Sequence, residues 1–269
     1  MKVRDVFIKA INLLKSDTSK LDVKFLLSFY LDIEQGNLIY HFDDEIDEIG
    51  FVKLLLRRLN GEPIANIIGK KAFWDDVFFV DENVLTPRPD SETIIESVMS
   101  HYKDFDEKLD ILDLGTGSGC LILTLLKIYK NSNGVGIDIS DKALNVAKKN
   151  GEYFNNVFFL KNNWNENFDR KFDIIVSNPP YIPTNEIKKL PPEVKTYNPI
   201  ISLDGGIDGL NCYRYLAMNL KKNMKEKTKV FLEIGKGQKK DVIEIFDEYK
   251  FCEVKKDYGN ISRVVIFSL

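Results

Sequence analysis

Residues 109–119 read LDILDLGTGSG, a short apolar run that ends in alternate glycines. The apolar residues from Ile111 to Leu114 predict a buried strand, and the residues up to Tyr129 continue with helical spacing. Glycine lets the backbone turn tightly and lets a ligand approach it closely at the start of a helix. This stretch therefore predicts a strand, a ligand-binding loop and a helix in succession.

The spacing of the glycines restricts the kind of ligand. Dinucleotide-binding loops follow the pattern G-x-G-x-x-G, whereas Gly115, Gly117 and Gly119 form G-x-G-x-G, with Cys120 next in the chain. This spacing disfavours a dehydrogenase. The alternative to a ligand-binding loop is that the glycines only form a tight turn. The loop from Gly115 to Gly119, including Thr116 and Ser118, resembles the first motif of class I methyltransferases, which embraces the methionine part of S-adenosylmethionine.

Strand and helix patterns alternate through the rest of the chain and predict a doubly wound α/β domain over residues 91–269. Residues 1–68 have helical periodicity and predict a small helical domain. Residues 69–90 are rich in aromatic and β-branched residues and predict a connecting β-hairpin with Asp75 and Asp76 near its turn. The acidic run at residues 43–48 lies where a helix is expected to begin, which favours interaction with the helix dipole.

Polar side chains follow the second and third predicted strands of this domain. Asp138 ends the second strand, where a carboxylate can accept hydrogen bonds from both hydroxyls of a ribose. Asn162, Asn163 and Trp164 follow the third strand and offer amides for the edge of an adenine and an indole for its face. Asp138 could instead only cap the next helix, with no contact to a ligand.

The tetrapeptide Asn178-Pro179-Pro180-Tyr181 follows the apolar strand from Phe172 to Val176 after a single serine. An amide or exocyclic amine is a poor nucleophile because its lone pair is delocalised, so its NH2 group must be oriented. The Asn178 oxygen and the Pro179 carbonyl can each accept one N–H, while Tyr181 can pack on the planar group. The two prolines keep the segment extended, and a surface turn is the structural alternative.

Composition excludes several other classes. The chain has 269 residues, 44% hydrophobic and 29% charged, enough for one full core and a small second domain. Lys and Arg total 38 against 41 Asp and Glu, a net charge of −3, so direct DNA binding is not expected. No segment approaches the roughly 18 apolar residues that a membrane span requires.

The cysteines and histidines are few. Three separated cysteines, Cys120, Cys212 and Cys252, suit reduced thiols and a cytoplasmic location better than a disulfide framework. His41 and His101 are the only histidines, so a multi-histidine metal site is not expected. No metal site is predicted.

A more specific resemblance rests on motifs spread along the chain. They are Gly69 with Phe73-Trp74, Thr86 to Glu92, Asp113 to Gly119, Ser177 to Ile182, Glu233-Ile234-Gly235 and Arg263-Val264-Val265. Together they resemble the HemK (PrmC) family of release factor glutamine methyltransferases over the whole catalytic domain and hairpin. The resemblance implies a class I S-adenosylmethionine-dependent methyltransferase fold, Rossmann-like with a seven-stranded mixed sheet, and a helical N-terminal domain that recognises the substrate.

The same resemblance implies methylation of the side-chain amide of the glutamine in the Gly-Gly-Gln motif of class I peptide chain release factors. It assigns the cofactor to Gly115–Gly119, Asp138, Asn163, Trp164 and Asn178, and the substrate glutamine to Asn178–Tyr181. Phe73 and Arg88 are weaker candidates near the same cleft, although Phe73 equally suits the hairpin core. Arg263 is expected to pair with a nearby carboxylate such as Asp257. Asn163 departs from the family, which usually has an acid before the tryptophan, and its amide can still hydrogen-bond adenine but without a charge.

Two other functions remain open from the sequence. An adenine or cytosine methyltransferase would bind a flipped base in the same tetrapeptide pocket, but residues 1–70 carry 10 Lys or Arg against 11 Asp or Glu and offer no basic groove. A cofactor-sensing or assembly module would keep the fold without turnover. The first is distinguished by tight nucleic-acid binding, and the second by cofactor binding without methyl transfer.

Overall fold

The structure is a computed structural model of the chain, and it describes residues 1–164 and 170–269. The helices are α1 (Val3–Leu14), α2 (Ser19–Tyr30), α3 (Glu48–Leu59), α4 (Ile64–Ile68), α5 (Glu92–His101), α6 (Cys120–Ile128), α7 (Asp141–Asn150), α8 (Thr184–Ile187), α9 (Pro192–Tyr197), α10 (Asn211–Asn219) and α11 (Lys239–Ile245). The strands are β1 (Lys70–Phe73), β2 (Asp76–Phe79), β3 (Asp110–Leu114), β4 (Asn133–Asp138), β5 (Val157–Lys161), β6 (Phe172–Ser177), β7 (Met224–Glu233), β8 (Lys250–Lys256) and β9 (Ser262–Ser268).

The first of two compact units consists of Met1–Lys70 together with α9. Its helices enclose an apolar core that includes Val3, Val23, Leu26, Leu27, Phe51 and Leu55. Helix α3 begins at the acidic run, as predicted, because the Asp47 carboxylate accepts hydrogen bonds from the backbone N–H groups of Ile49 and Gly50 at 3.0 and 3.2 Å. This unit is an all-helical domain with its own core.

The second unit consists of Lys71–Pro191 and Asn198–Leu269. It opens with the hairpin of β1 and β2, whose turn lies at Trp74 and Asp75. Phe73 is 1% exposed and packs in the core beside Phe78, so the structure shows the packing role that the sequence left open for Phe73. The amide of Asn150, at the end of α7, hydrogen-bonds the backbone N–H and C=O of Phe79 at 2.7 and 3.0 Å.

A seven-stranded mixed sheet forms the centre of this unit, as predicted. The strand order is β5-β4-β3-β6-β7-β9-β8. All neighbouring pairs from β5 to β7 are parallel, whereas β9 is antiparallel to both β7 and β8. Since β3 connects outward to β4 and β5, and β6 connects in the other direction to β7, the chain reverses its direction of winding between β3 and β6.

Helices cover both faces of the sheet. The side chains of its central strands therefore point alternately into two apolar layers. Ile111, Ile174 and Val176 pack with α5 and α6, while Leu112 and Ile175 pack with α10 and α11. Strand β7 begins at Met224, and within it the hydroxyl of the buried Thr228 donates a hydrogen bond to the Phe172 carbonyl. In the described ranges no helix combines the length and apolar character needed to cross a membrane.

Removing the Phe246 ring tests the layer beneath α11. Phe246 is 1% exposed and stacks on Phe267 with ring centroids 4.5 Å apart. Phe246→Ala is expected to lower the free energy of unfolding by about 3–5 kcal/mol, through lost burial and the cavity left behind. Urea denaturation measures the change. Phe158→Ala is the matched control, because Phe158 is 59% exposed, and equal losses for the two variants would contradict this packing.

Candidate active site

The candidate site lies where the winding of the sheet reverses, at the carboxyl ends of β3 and β6. Ligands of open α/β sheets bind at such a point because the two adjacent loops diverge there. Leu114 is the register partner of Ser177, and the Ser177 hydroxyl donates a hydrogen bond to the Leu114 carbonyl at 2.6 Å. The glycine loop and the tetrapeptide Asn178–Tyr181, called the catalytic loop below after its predicted role, therefore begin side by side.

The glycine loop turns sharply as it leaves β3. Gly115, Gly117 and Gly119 have φ of 74°, 55° and 81°, values that side chains with a Cβ rarely adopt. The N–H groups of Gly115 and Thr116 both donate to the Ile137 carbonyl at 2.9 Å, which ties the loop to β4. A Cβ on Gly115 would lie 3.4 Å from the Trp164 ring. The indole thus lies close against this part of the loop.

Asp138 links the glycine loop to the start of α7. Its two carboxylate oxygens accept hydrogen bonds from the backbone N–H groups of Gly117 at 3.0 Å and Ser140 at 2.9 Å. Burial raises the pKa of the Asp138 carboxyl above its ordinary value. Because a carboxylate has about four lone-pair positions, each oxygen retains capacity for a further donor. Asp138 can therefore accept both hydroxyls of a ribose without losing its contacts with the loop.

The segment after β5 approaches the same place. The Asn162 backbone N–H donates to the Asp138 carbonyl at 3.0 Å, and the Asn162 side-chain oxygen accepts from the backbone N–H of Trp164 at 2.6 Å. Trp164 adopts a φ of 67°. This turn places the indole at the glycine loop, and Asn163 also lines the cavity described next.

These elements surround a cavity of about 500 Å³, within the size range of small-molecule sites. It is lined by most of the predicted site residues, namely Gly115, Thr116, Gly117, Ser118, Asp138, Asn163, Trp164, Asn178 and Pro180, and by Arg88. Gly119 caps α6 instead, while Pro179 and Tyr181 lie outside the lining. The structure therefore brings together most of the predicted set, and the roles of its members remain predictions.

Sequence reasoning missed several lining residues. Ser91 lies within the motif Thr86 to Glu92, which does not reveal its role, and Asn211, Cys212 and Tyr215 of α10 carry no local signal in the sequence. The Tyr215 hydroxyl is buried and has no hydrogen-bond partner among the residues that the structure describes. A buried hydroxyl normally has a partner, so this atom fits a cavity that receives a ligand with polar groups.

The catalytic loop is held by contacts at each end. The Asn178 side-chain NH2 donates to the Ser91 hydroxyl at 3.0 Å. The Tyr181 carbonyl accepts from the Gln238 amide at 2.9 Å, and the Tyr181 hydroxyl contacts the Glu233 carboxylate at 3.4 Å. Burial raises the pKa of the Tyr181 phenol above its ordinary value, which keeps it a hydrogen-bond donor.

Arg263 has the structural role expected from the sequence. Its Nε atom lies 2.7 Å from a carboxylate oxygen of Asp257, and its Nη2 lies 2.6 Å from one of Asp90. The guanidinium does not line the cavity.

The mixed sheet, the glycine loop after β3 and the carboxylate at the end of β4 define a methyltransferase domain of class I, the S-adenosylmethionine-dependent type. A family model described as methyltransferase domain matches residues 105–258, and one described as PrmC N-terminal domain matches residues 5–69. The chain belongs to the HemK (PrmC) family of release factor glutamine methyltransferases.

Individual relatives agree with this assignment. A release factor glutamine methyltransferase of Thermodesulfovibrio yellowstonii is 42% identical over 219 residues, which cover 79% of this chain and 78% of the relative. A bifunctional methyltransferase of Rickettsia felis is 35% identical over 305 residues, which cover 99% of this chain but 58% of the relative, so the chain spans little more than half of that protein. A methyltransferase structure from Pyrococcus furiosus has a TM-score of 0.53 at 20% identity, covering 79% of this chain and 96% of that one, and shows the shared fold.

Asp138→Ala tests the ribose contact. Loss of a charged acceptor is expected to raise the Kd for S-adenosylmethionine about 10- to 100-fold, since hydrogen bonds to charged groups contribute about 1.5–3 kcal/mol each. Isothermal titration calorimetry measures the Kd. Asp141→Ala is the matched control, because Asp141 is exposed and pairs with Lys161 on the surface. Wild-type affinity in the Asp138 variant would remove this residue from the site.

Tyr215→Phe tests whether the buried Tyr215 hydroxyl, which lacks a hydrogen-bond partner among the described residues, contacts the cofactor. The variant is expected to bind S-adenosylmethionine about 2- to 10-fold more weakly, the value of one neutral hydrogen bond. Its stability without cofactor should equal or exceed that of the wild type, because no protein partner is lost. Calorimetric titration and thermal unfolding give the two quantities. Unchanged affinity would show that the hydroxyl points away from the ligand.

Proposed function

We propose that this protein transfers the methyl group of S-adenosylmethionine to the side-chain amide nitrogen of the glutamine in the Gly-Gly-Gln motif of class I peptide chain release factors. The observation that carries the proposal is the orientation of Asn178. Its NH2 group is engaged by Ser91, which leaves its amide oxygen for a donor in the cavity. Family membership supplies the choice of a glutamine amide as that donor.

A glutamine amide needs to be oriented before it can react, because its nitrogen lone pair is shared with the carbonyl group. The Asn178 oxygen and the Pro179 carbonyl each accept one N–H of the substrate and direct its nitrogen toward the methyl donor. The two oxygens also stabilise the positive charge that develops on this nitrogen. No side chain has to remove a proton beforehand: the N–C bond forms as the S–CH3 bond of the sulfonium breaks, and the methylated nitrogen then loses one N–H proton to water. The nearby Glu233 is only 1% exposed and already engaged by Ser91.

The cavity fits the cofactor in three parts. The glycine loop provides close backbone approach for the methionine part, Asp138 accepts the ribose hydroxyls, and Asn163 with Trp164 receives the adenine. The buried Tyr215 hydroxyl provides a further polar contact. When bound, S-adenosylmethionine supplies an electrophilic methyl group on its sulfonium.

The helical N-terminal domain, residues 1–68, serves in this proposal to recognise the release factor. Support comes from the match of residues 5–69 to the PrmC N-terminal domain and from exposed apolar side chains such as Ile39, Tyr40 and Ile49, which are 66%, 81% and 75% exposed. The even charge balance of this region gives no support for DNA binding.

Three free cysteines suit a cytoplasmic location.

Transfer of labelled methyl to a purified release factor tests the reaction. Label is expected on the wild-type release factor and not on a variant whose Gly-Gly-Gln glutamine is alanine. Asn178→Ala is expected to lower kcat/KM about 100- to 1000-fold, because it removes an oriented acceptor. Asn185→Ala is the matched control, since Asn185 is an exposed residue of α8.

The alternatives predict other outcomes. Label on nucleic acid but not on release factor would indicate a base methyltransferase. Cofactor binding without label on any substrate would indicate a module that has lost turnover. Equal labelling of the glutamine and alanine release factors would place the modification on another residue.

A further inference from the structure

A chain of three polar side chains ends at the catalytic loop. Glu233, the last residue of β7, is 1% exposed, and its Oε2 accepts a hydrogen bond from the Ser91 hydroxyl at 2.5 Å. The same Ser91 oxygen accepts from the Asn178 Nδ2 at 3.0 Å. The three residues are far apart in sequence, and only the fold brings them together.

The order of donors and acceptors fixes the Asn178 amide. A serine hydroxyl has one hydrogen, and Ser91 gives it to Glu233, so toward Asn178 it can only accept. The NH2 branch of Asn178 must therefore face Ser91, and the oxygen branch must face the other way. An amide lacking such a partner can rotate by 180°, because its two branches have nearly the same shape.

The direction of the amide matters for the reaction described above, on which this inference rests. A substrate NH2 group requires an acceptor. If the amide were reversed, its own NH2 group would face the NH2 group of the substrate, and two donors would meet. We propose that Ser91 and Glu233 are positioning residues that hold the Asn178 amide with its oxygen toward the substrate.

Glu233 holds the other end of the catalytic loop as well. Its Oε1 lies 3.4 Å from the Tyr181 hydroxyl. Its backbone carbonyl accepts from the Tyr213 hydroxyl of α10 at 2.7 Å, which fixes the end of β7. One buried carboxylate therefore contacts the loop directly at its last residue and through Ser91 at its first.

The charge of Glu233 is set by groups on several elements. Burial raises the pKa of its carboxyl to about 7, while Ser91, Arg263 and Tyr181 act in the opposite direction. Asp90 raises this pKa, and Cys120 and Tyr213 also lie within its electrostatic range. Arg263 is held by Asp90 and Asp257, which keeps a cation close to the buried carboxylate.

Protonation would reverse the chain of hydrogen bonds. A neutral Glu233 can donate to Ser91, and the serine hydroxyl can then donate to Asn178, so the amide oxygen turns away from the substrate. The ionised form is the productive one. Activity is therefore complete above the pKa of Glu233 and is lost as the pH falls through about 7.

Ser91→Ala separates this role from a general packing role. The variant is expected to lower kcat about 10- to 100-fold, because the acceptor is no longer fixed, while the Kd for S-adenosylmethionine changes less than about twofold. Its pH profile should lose the acid limb near pH 7. Glu233→Gln, which has no titrating carboxyl, should lose the same limb. Ser97→Ala is the matched control, since Ser97 is also buried, in α5, and its hydroxyl donates to the Thr93 carbonyl of the same helix.

A second measurement does not depend on turnover. The ¹⁵N-edited signal of the Asn178 side-chain NH2, assigned by its loss in Asn178→Asp, should shift with an apparent pKa near 7 in wild type and Ser97→Ala. In Ser91→Ala it should not titrate. A wild-type pH profile and a titrating signal in Ser91→Ala would overturn the proposal. Failure of the wild type to label release factor would count against the substrate instead, and the NMR titration would still decide the role of Ser91.

Discussion

Parallel pairing between β3 and β6 is the constraint on which the whole site depends. Each strand delivers one loop to the same edge of the sheet, and the bond from the Ser177 hydroxyl to the Leu114 carbonyl fixes their starting points. The starting points of the glycine loop and the catalytic loop are thus set by backbone pairing, and the contacts of each loop hold the residues that follow. Since the strands are buried between two helical layers, this spacing changes only if the core itself opens.

Buried carboxylates surround this edge of the sheet. Asp113, at the end of β3, is fully buried and accepts from the Thr116 hydroxyl at 2.7 Å, and burial raises its pKa to about 7. Asp138 and Glu233 are also shifted upward by burial. Groups of this kind destabilise a fold unless they are paired, and perturbed carboxylates cluster at functional sites. Here they bond the glycine loop or the catalytic loop.

The sequence was sufficient for features that depend on neighbouring residues. Gly115, Gly117, Asp138 and Asn178 each lie at or close to the carboxyl end of a predicted strand, and the strand ends of a parallel sheet meet at one edge. Ser91 and Glu233 could not be assigned in this way. They are 142 residues apart, and Ser91 lies 87 residues from Asn178. Their contact depends on how α5 packs against β7, which no local pattern encodes.

The two prolines make the catalytic loop rigid, as its sequence predicts, but they restrict only the backbone. They leave the Asn178 side chain free to rotate, and in the proposed reaction that rotation decides whether an acceptor or a donor faces the substrate. The folded protein removes this freedom through Ser91, and it holds the far end of the loop through Gln238, which bonds the Tyr181 carbonyl. Orientation of the acceptor is therefore a property of the assembled domain, and the tetrapeptide alone does not contain it.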